Sequence, residues 1–145
     1  MPEIMKCLNK ISRAQGMFRA EMMKNDELCS HHHSFIIAIC KNPGKSQEDI
    51  AKMLCLNKST VARTISYLEE KGYVTRNQDL NDKRQFSVFP TDKMLDVFSE
   101  VMEISAKWNE LISADIRDEE LAVFFSVLSK IEANATDVVK RGEFE

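Results

Sequence analysis

Apolar positions recur along this chain with two different periods. From Glu3 to Lys24, the residues Ile4, Leu8, Ile11, Phe18 and Met22 fall on one face at steps of three, four or seven, which predicts an amphipathic helix. "NDE" at 25–27 interrupts it. A second helix should follow, with Phe35, Ile36, Ile39 and Cys40 on its apolar side, Ser30 as N-cap and "NPG" at 42–44 as its stop. Ser46-Gln47-Glu48-Asp49 sets a hydroxyl three residues before an acid, the form of a capping box, and opens a short helix bearing Ile50, Ala51 and Leu54. Cys55-Leu56-Asn57 makes a tight corner. Asn57 caps the next helix, whose inward face is Val61, Ile65 and Leu68, and Gly72 stands where a left-handed residue ends it.

Past Gly72 the period drops from about 3.6 to about 2. "YVTR" and "QFSVF" read as two strands, with Phe86 and Val88 on one side and Pro90 as the stop. Thr91 caps a long helix carrying Leu95, Phe98, Met102, Trp108 and Ile112. A break near Ser113–Arg117 leads to a last helix, with Leu121, Phe125, Leu128 and Ile131 down one side and Val138 beyond. The expected fold class is mainly α: a winged helix-turn-helix with long N- and C-terminal helices. Those outer helices carry apolar stripes that a small middle domain does not need, and a second copy of the chain is the simplest partner to bury them. The organisation is therefore residues 1–29 as an N-terminal dimerisation helix, 30–91 as the winged lobe and 92–145 as C-terminal dimerisation helices.

Composition narrows the class. Hydrophobic residues make up 43% of 145, enough for a packed interior and too many for a disordered chain. No apolar run approaches the ~20 residues of a membrane span, and Met1-Pro2-Glu3 lacks the opening of a signal peptide, so a cytoplasmic location without membrane contact is expected. The four cysteines form no CxxC pair, and they are expected as free thiols. Net charge is −3, yet residues 41–90 hold nine Lys/Arg against six Asp/Glu, while 91–145 hold six against thirteen. A basic middle in an acidic chain suits local phosphate binding.

That middle contains the constellation that carries function. "QEDIAKMLCLNKSTVARTISYLEEKG" is two helices joined by a tight corner, a helix-turn-helix pattern. Its second helix leaves Lys58, Ser59, Thr60, Ala62, Arg63, Thr64 and Ser66 off the core side, where hydroxyls meet phosphates or base edges and Arg bridges guanine. The bland alternative is a helical corner with a polar outer face. A hairpin follows at once, and its tip, "DLNDKRQF", places Asp82, Lys83 and Arg84 where a wing reaches the neighbouring minor groove, whose negative potential attracts Arg. Asp82 is placed to brace the Arg84 guanidinium across the turn. A solvated turn is the competing reading of that tip.

These residues resemble the MarR-type (multiple antibiotic resistance regulator) winged-helix repressors. The stretch "SQEDIAKMLCLNKSTVARTISYLEEKGYVTRNQDLNDKRQFSVFPT" looks like their core, with Asp82 and Arg84 matching the Asp-x-Arg of the wing and Asp79 the Asp before it. Phe89-Pro90-Thr91 departs from the usual Leu-Thr, and Cys55 stands where the family's corner often has Gly; a positive φ there would cost Cys roughly 1 kcal/mol. The resemblance implies a homodimer joined through the first, fifth and sixth helices. It binds a pseudo-palindromic double-stranded DNA operator as a transcriptional repressor, with half-sites about one helical turn apart, and is released by a small-molecule effector. Candidate walls for an effector cleft are Met17, His32, Phe35 and Trp108, with core packing the stronger reading of Met17 and Trp108.

Other readings stay open. A winged helix used for protein contacts is one. A redox- or metal-sensing repressor of the same fold is another, through Cys7 or through Cys29 with His31, His32 and His33. Three consecutive histidines on a helix point about 100° apart and cannot all grip one ion, so no metal and no cofactor is expected. A nucleophile–base–acid set and a glycine-rich phosphate loop are both missing from the sequence, which has only four glycines, so an enzyme is not expected.

Overall fold

The computed structural model describes residues 3–141, so the opening Met1-Pro2 lies outside the described residues. Helix α1 runs Ile4–Met22 and α2 His32–Lys41. A two-residue strand, β1 at Lys45–Ser46, leads into α3 (Gln47–Leu54) and α4 (Lys58–Glu70). Strands β2 (Val74–Gln78) and β3 (Phe86–Pro90) form the hairpin, and α5 (Asp92–Ser113) and α6 (Asp118–Arg141) complete the order. The three strands pair antiparallel in the order β1-β3-β2. This is a winged helix-turn-helix between long terminal helices, as the periodicity predicts.

The local signals act as the sequence says. Ser46 Oγ accepts from the Asp49 amide at 3.0 Å and Asp49 returns the contact to the Ser46 amide, a full capping box. Asn57 Oδ1 accepts from the Thr60 amide at 2.7 Å and starts α4. Gly72, at φ 78°, ends it: the Gly72 amide donates to Glu69 O and the Tyr73 amide to Leu68 O, the paired bonds of a Schellman stop. Cys55 occupies the left-handed region at φ 52°, the cost anticipated for a corner without Gly.

Three expectations change. Ser30 does not cap α2, whose N-cap is His31 with no side-chain hydrogen bond to the helix. Instead Asn25 Oδ1 accepts from the Glu27 and Leu28 amides, and His32 turns its Nδ1 back to accept from the Cys29 amide at 3.1 Å. Pro90 closes β3 from within, opposite Val74, because a strand end needs no amide there. Strand β1 was not foreseen; at two residues it has no period to read, and it exists because Lys45 and Ser46 lie alongside Val88 and Ser87.

The chain divides into two compact units, 1–108 and 109–145. In the first, Phe35, Ile36, Ile39, Ile50, Val61, Ile65, Leu68, Tyr73, Val74, Val88, Met94 and Val101 form one continuous buried core. Phe18 of α1 packs against it and meets Trp108 in a tilted ring contact, centroids 5.4 Å apart. In the second unit no described residue is buried: Leu121, Leu128 and Ile131 are half-covered, whereas Val123, Phe124, Phe125 and Val127 are exposed. Among the described residues, no helix is long and apolar enough to cross a membrane.

Candidate nucleic-acid interface

Helix α4 is held against the core by Val61, Ile65 and Leu68, all fully buried. That phase turns Lys58, Ser59, Arg63 and Ser66 outward as exposed residues, with Thr60 and Ala62 half-exposed. Thr64 departs from expectation. It is 8% exposed, because it lies next to Ile65 and one turn from Val61 and Leu68 on the edge of the inward face. It is covered where Lys58, Ser59 and Arg63 are open to solvent.

The wing tip is built by Asp79 and Asp82. Asp79 Oδ1 accepts from the Asn81 and Asp82 amides at 2.7 and 3.1 Å, and the Asp79 amide donates to Gln85 O. Asp82 Oδ1 accepts from the Arg84 amide at 3.0 Å. Asp82 therefore fixes the Arg84 backbone instead of bracing its guanidinium, since an Asx turn satisfies the carboxylate two residues on. The Lys83 and Arg84 side chains are left exposed.

Helix and wing meet. Lys58 and Ala62 of α4, Arg84, Gln85 and Phe86 of the wing, and Ser46, Gln47 and Glu48 at the start of α3 line a groove of about 270 Å³. Two contacts that the sequence did not reveal hold this surface. Arg76 in β2 makes paired bonds at 3.1 Å to both Glu69 oxygens and a third to Gln47, and lies over the Phe86 ring. It ties the end of α4 to the wing, and its hydrogen bonds hold the Glu69 carboxyl below its ordinary range. Lys58 is paired with Glu48 at 3.1 Å, and that bond likewise lowers Glu48.

A second pocket, of about 550 Å³, opens on the other flank of α4. Arg63, Thr64 and Tyr67 form one wall, and Asn25 to Cys29 with His31 and His32 form the other. The His32 ring lies flat on Tyr67 at 5.1 Å, and Tyr67 Oη donates to Glu27 O at 2.6 Å. Glu27 also accepts from Lys93 Nζ at 2.7 Å and Tyr73 Oη at 3.0 Å, bonds that pull its carboxyl down and raise Lys93. The four candidate cleft residues are not brought together within the single chain: His32 lines this pocket, Phe35 is in the core, Trp108 is half-buried against Phe18, and Met17 is 75% exposed, turned about 100° along α1 from Phe18.

The three histidines part company, as the helical period requires. His33 is fully buried and shares a 2.9 Å hydrogen bond with Ser105 of α5. His31 precedes α2, and Cys29, His31 and His32 come together. Cys7, Cys29 and Cys55 are exposed free thiols, and burial pushes the half-covered Cys40 up to about 11.

A recognition helix packed on a three-stranded winged domain, with basic residues on both, defines a winged-helix DNA-binding transcriptional regulator. The MarR family model matches residues 32–86, from α2 to the first residue of β3. The HTH-type transcriptional regulator BilQ of Clostridioides difficile (strain CD3) is 31% identical over 104 residues, covering 72% of this chain and 70% of that protein. A MarR protein from Peptoclostridium difficile is 30% identical and superposes with a TM-score of 0.89 over 94% of this chain and 90% of that one. A MarR family transcriptional regulator from Listeria monocytogenes, solved with 26mer DNA, is 25% identical with a TM-score of 0.89 over 98% and 97%. The chain belongs to the MarR family of transcriptional regulators, as the motifs at Gln47–Gly72 and Asp79–Arg84 imply.

Proposed function

We propose that this regulator is a homodimeric repressor of a pseudo-palindromic operator. Residues 1–29 and 92–145 carry the dimer contacts and 30–91 the DNA-binding lobe. Lys58, Ser59, Thr60 and Arg63 face the major groove, Lys83 and Arg84 enter the adjoining minor groove, and Asp82 orients Arg84. Thr64 is left out because it is buried. The observation that carries this reading is the groove shared by Lys58 and Ala62 of α4 with Arg84 and Phe86 of the wing, which allows one duplex to touch both. The DNA-bound Listeria relative supports it. Release follows when an effector alters the spacing of the two recognition helices, because rigid grooves penalise a misplaced half-site.

The test is a footprint at the upstream region of the chain's own gene, followed by titration of variants. Arg84→Ala should weaken operator binding by roughly 1–3 kcal/mol with circular dichroism unchanged. Lys58→Ala should weaken all sequences alike and flatten the salt dependence, and Arg63→Ala should relax base preference. Full affinity in Arg84→Ala would remove the wing from the mechanism. A folded protein that shifts no duplex but captures a protein partner would favour an interaction module.

A further inference from the structure

We propose that Cys29, His31 and His32 form a zinc site, and that its occupancy loosens the seat of the recognition helix. The three side chains offer one sulfur and two nitrogens whose ligand atoms all lie within 4.8 Å of one another. Cys29 Sγ is 2.9 Å from His31 Nδ1 and 3.5 Å from His32 Nδ1. In a tetrahedral zinc site a sulfur and a nitrogen are separated by about 3.5 Å, given the ordinary bond lengths. The second distance already fits, and His31, exposed ahead of α2, reaches the first by a small side-chain rotation. One thiolate with two imidazoles is a donor set that zinc favours over magnesium or calcium. The fourth position of a tetrahedral site is left to water.

The coupling rests on the DNA-binding reading above and follows from what His32 now touches. Its Nδ1 accepts from the Cys29 amide and its ring lies on Tyr67 of α4. Coordination replaces that hydrogen bond, and the imidazole that lies on Tyr67 has to turn so that its Nδ1 lone pair points at the ion instead of at the Cys29 amide. Tyr67 lines the pocket one turn from Arg63, so the helix loses support beside a DNA-facing residue. Linkage then requires zinc to bind the free protein more tightly than the operator complex by the same factor that it weakens the operator.

The experiment uses the full chain, stripped by chelator under reducing conditions and titrated with Co²⁺ and then Zn²⁺. One equivalent of Co²⁺ per chain should give the near-ultraviolet thiolate-to-cobalt charge-transfer band, displaced by Zn²⁺. Cys29→Ser should abolish the band and His31→Ala should weaken it; both positions are exposed, and circular dichroism checks that each variant folds. Zn²⁺ should lower operator affinity about tenfold in the native chain and leave Cys29→Ser unchanged. A missing band in the native chain, or one that survives Cys29→Ser, overturns the site. A normal band with operator affinity unmoved or raised by zinc overturns the coupling. If no duplex is bound in chelator, the DNA reading has failed, while the cobalt spectrum still decides the site.

Discussion

His33 and His32 are the buried polar residues of α2, and burial lowers both imidazoles to about 4, with Arg19 adding to the effect at His33 and the Val101 carbonyl opposing it. In the unfolded chain each titrates near ~6.5. Between these values the unfolded chain binds more protons than the folded one, so stability rises with pH there. The contribution is complete above about 6.5 and is lost as pH falls toward 4, by roughly 3 kcal/mol per group. In chelator, the melting temperature should drop as pH is lowered from about 7 to about 4.5. His33→Gln, which keeps a donor for Ser105, should make that drop shallower. An equal drop in both proteins would assign the acid sensitivity to other groups. At the same scale Arg76 has a structural role: its fork on Glu69 and Gln47 fixes the wing on α4, the two elements that the proposed function sends into adjoining grooves.

Among the elements, the α3–α4 corner is set by two residues with opposite effects. Cys55 is held at φ 52°, where a Cβ is strained, so Cys55→Gly should raise stability by about 0.5–1 kcal/mol. Asn57 accepts from the Thr60 amide and from Ser59 Oγ, and Asn57→Ala should cost about 1 kcal/mol. Urea midpoints read both. Loss of stability in Cys55→Gly would mean that the thiol contributes more than its strain costs. The asymmetry matters for function, because the N-terminus of α4 presents Lys58, Ser59 and Thr60, and fraying there would blur the surface aimed at DNA.

On the scale of the whole molecule, the outstanding feature is apolar surface without an internal partner. Ile4, Met5 and Ile11 of α1 are exposed, as are Val123, Phe124, Phe125 and Val127 of α6. Faces of this kind mark an interface, and the proposed homodimer covers them. The native chain should sediment as a dimer at micromolar concentration. Phe125→Asp should yield a folded monomer, since that side chain is 59% exposed in the single chain and its charge meets an apolar wall only in the dimer. It should also lose operator binding, because one half-site is too weak alone. A native monomer in sedimentation would end the dimeric model.

What the sequence determined by itself were the features closed within a few residues. The capping box at Ser46, the Asn57 cap, the strained corner at Cys55, the Gly72 stop and the apolar period of each long helix are local, because each depends on hydrogen bonds or side-chain directions within one or two turns. The wing could be located for the same reason, since its Asp residues bond amides two and three positions on. Tertiary structure decided what depends on distant neighbours. Thr64 is covered because of what α4 packs against; Arg76 finds Glu69 and Gln47 only because the fold brings β2 beside α4 and α3; β1 exists only beside β3. Met17, His32, Phe35 and Trp108 lie on three helices, and the single chain gives them different surroundings, which no local pattern could foretell. The histidine run gave way in turn: only the end of a turn before α2 could bring Cys29, His31 and His32 together while the helix carried His33 into the core.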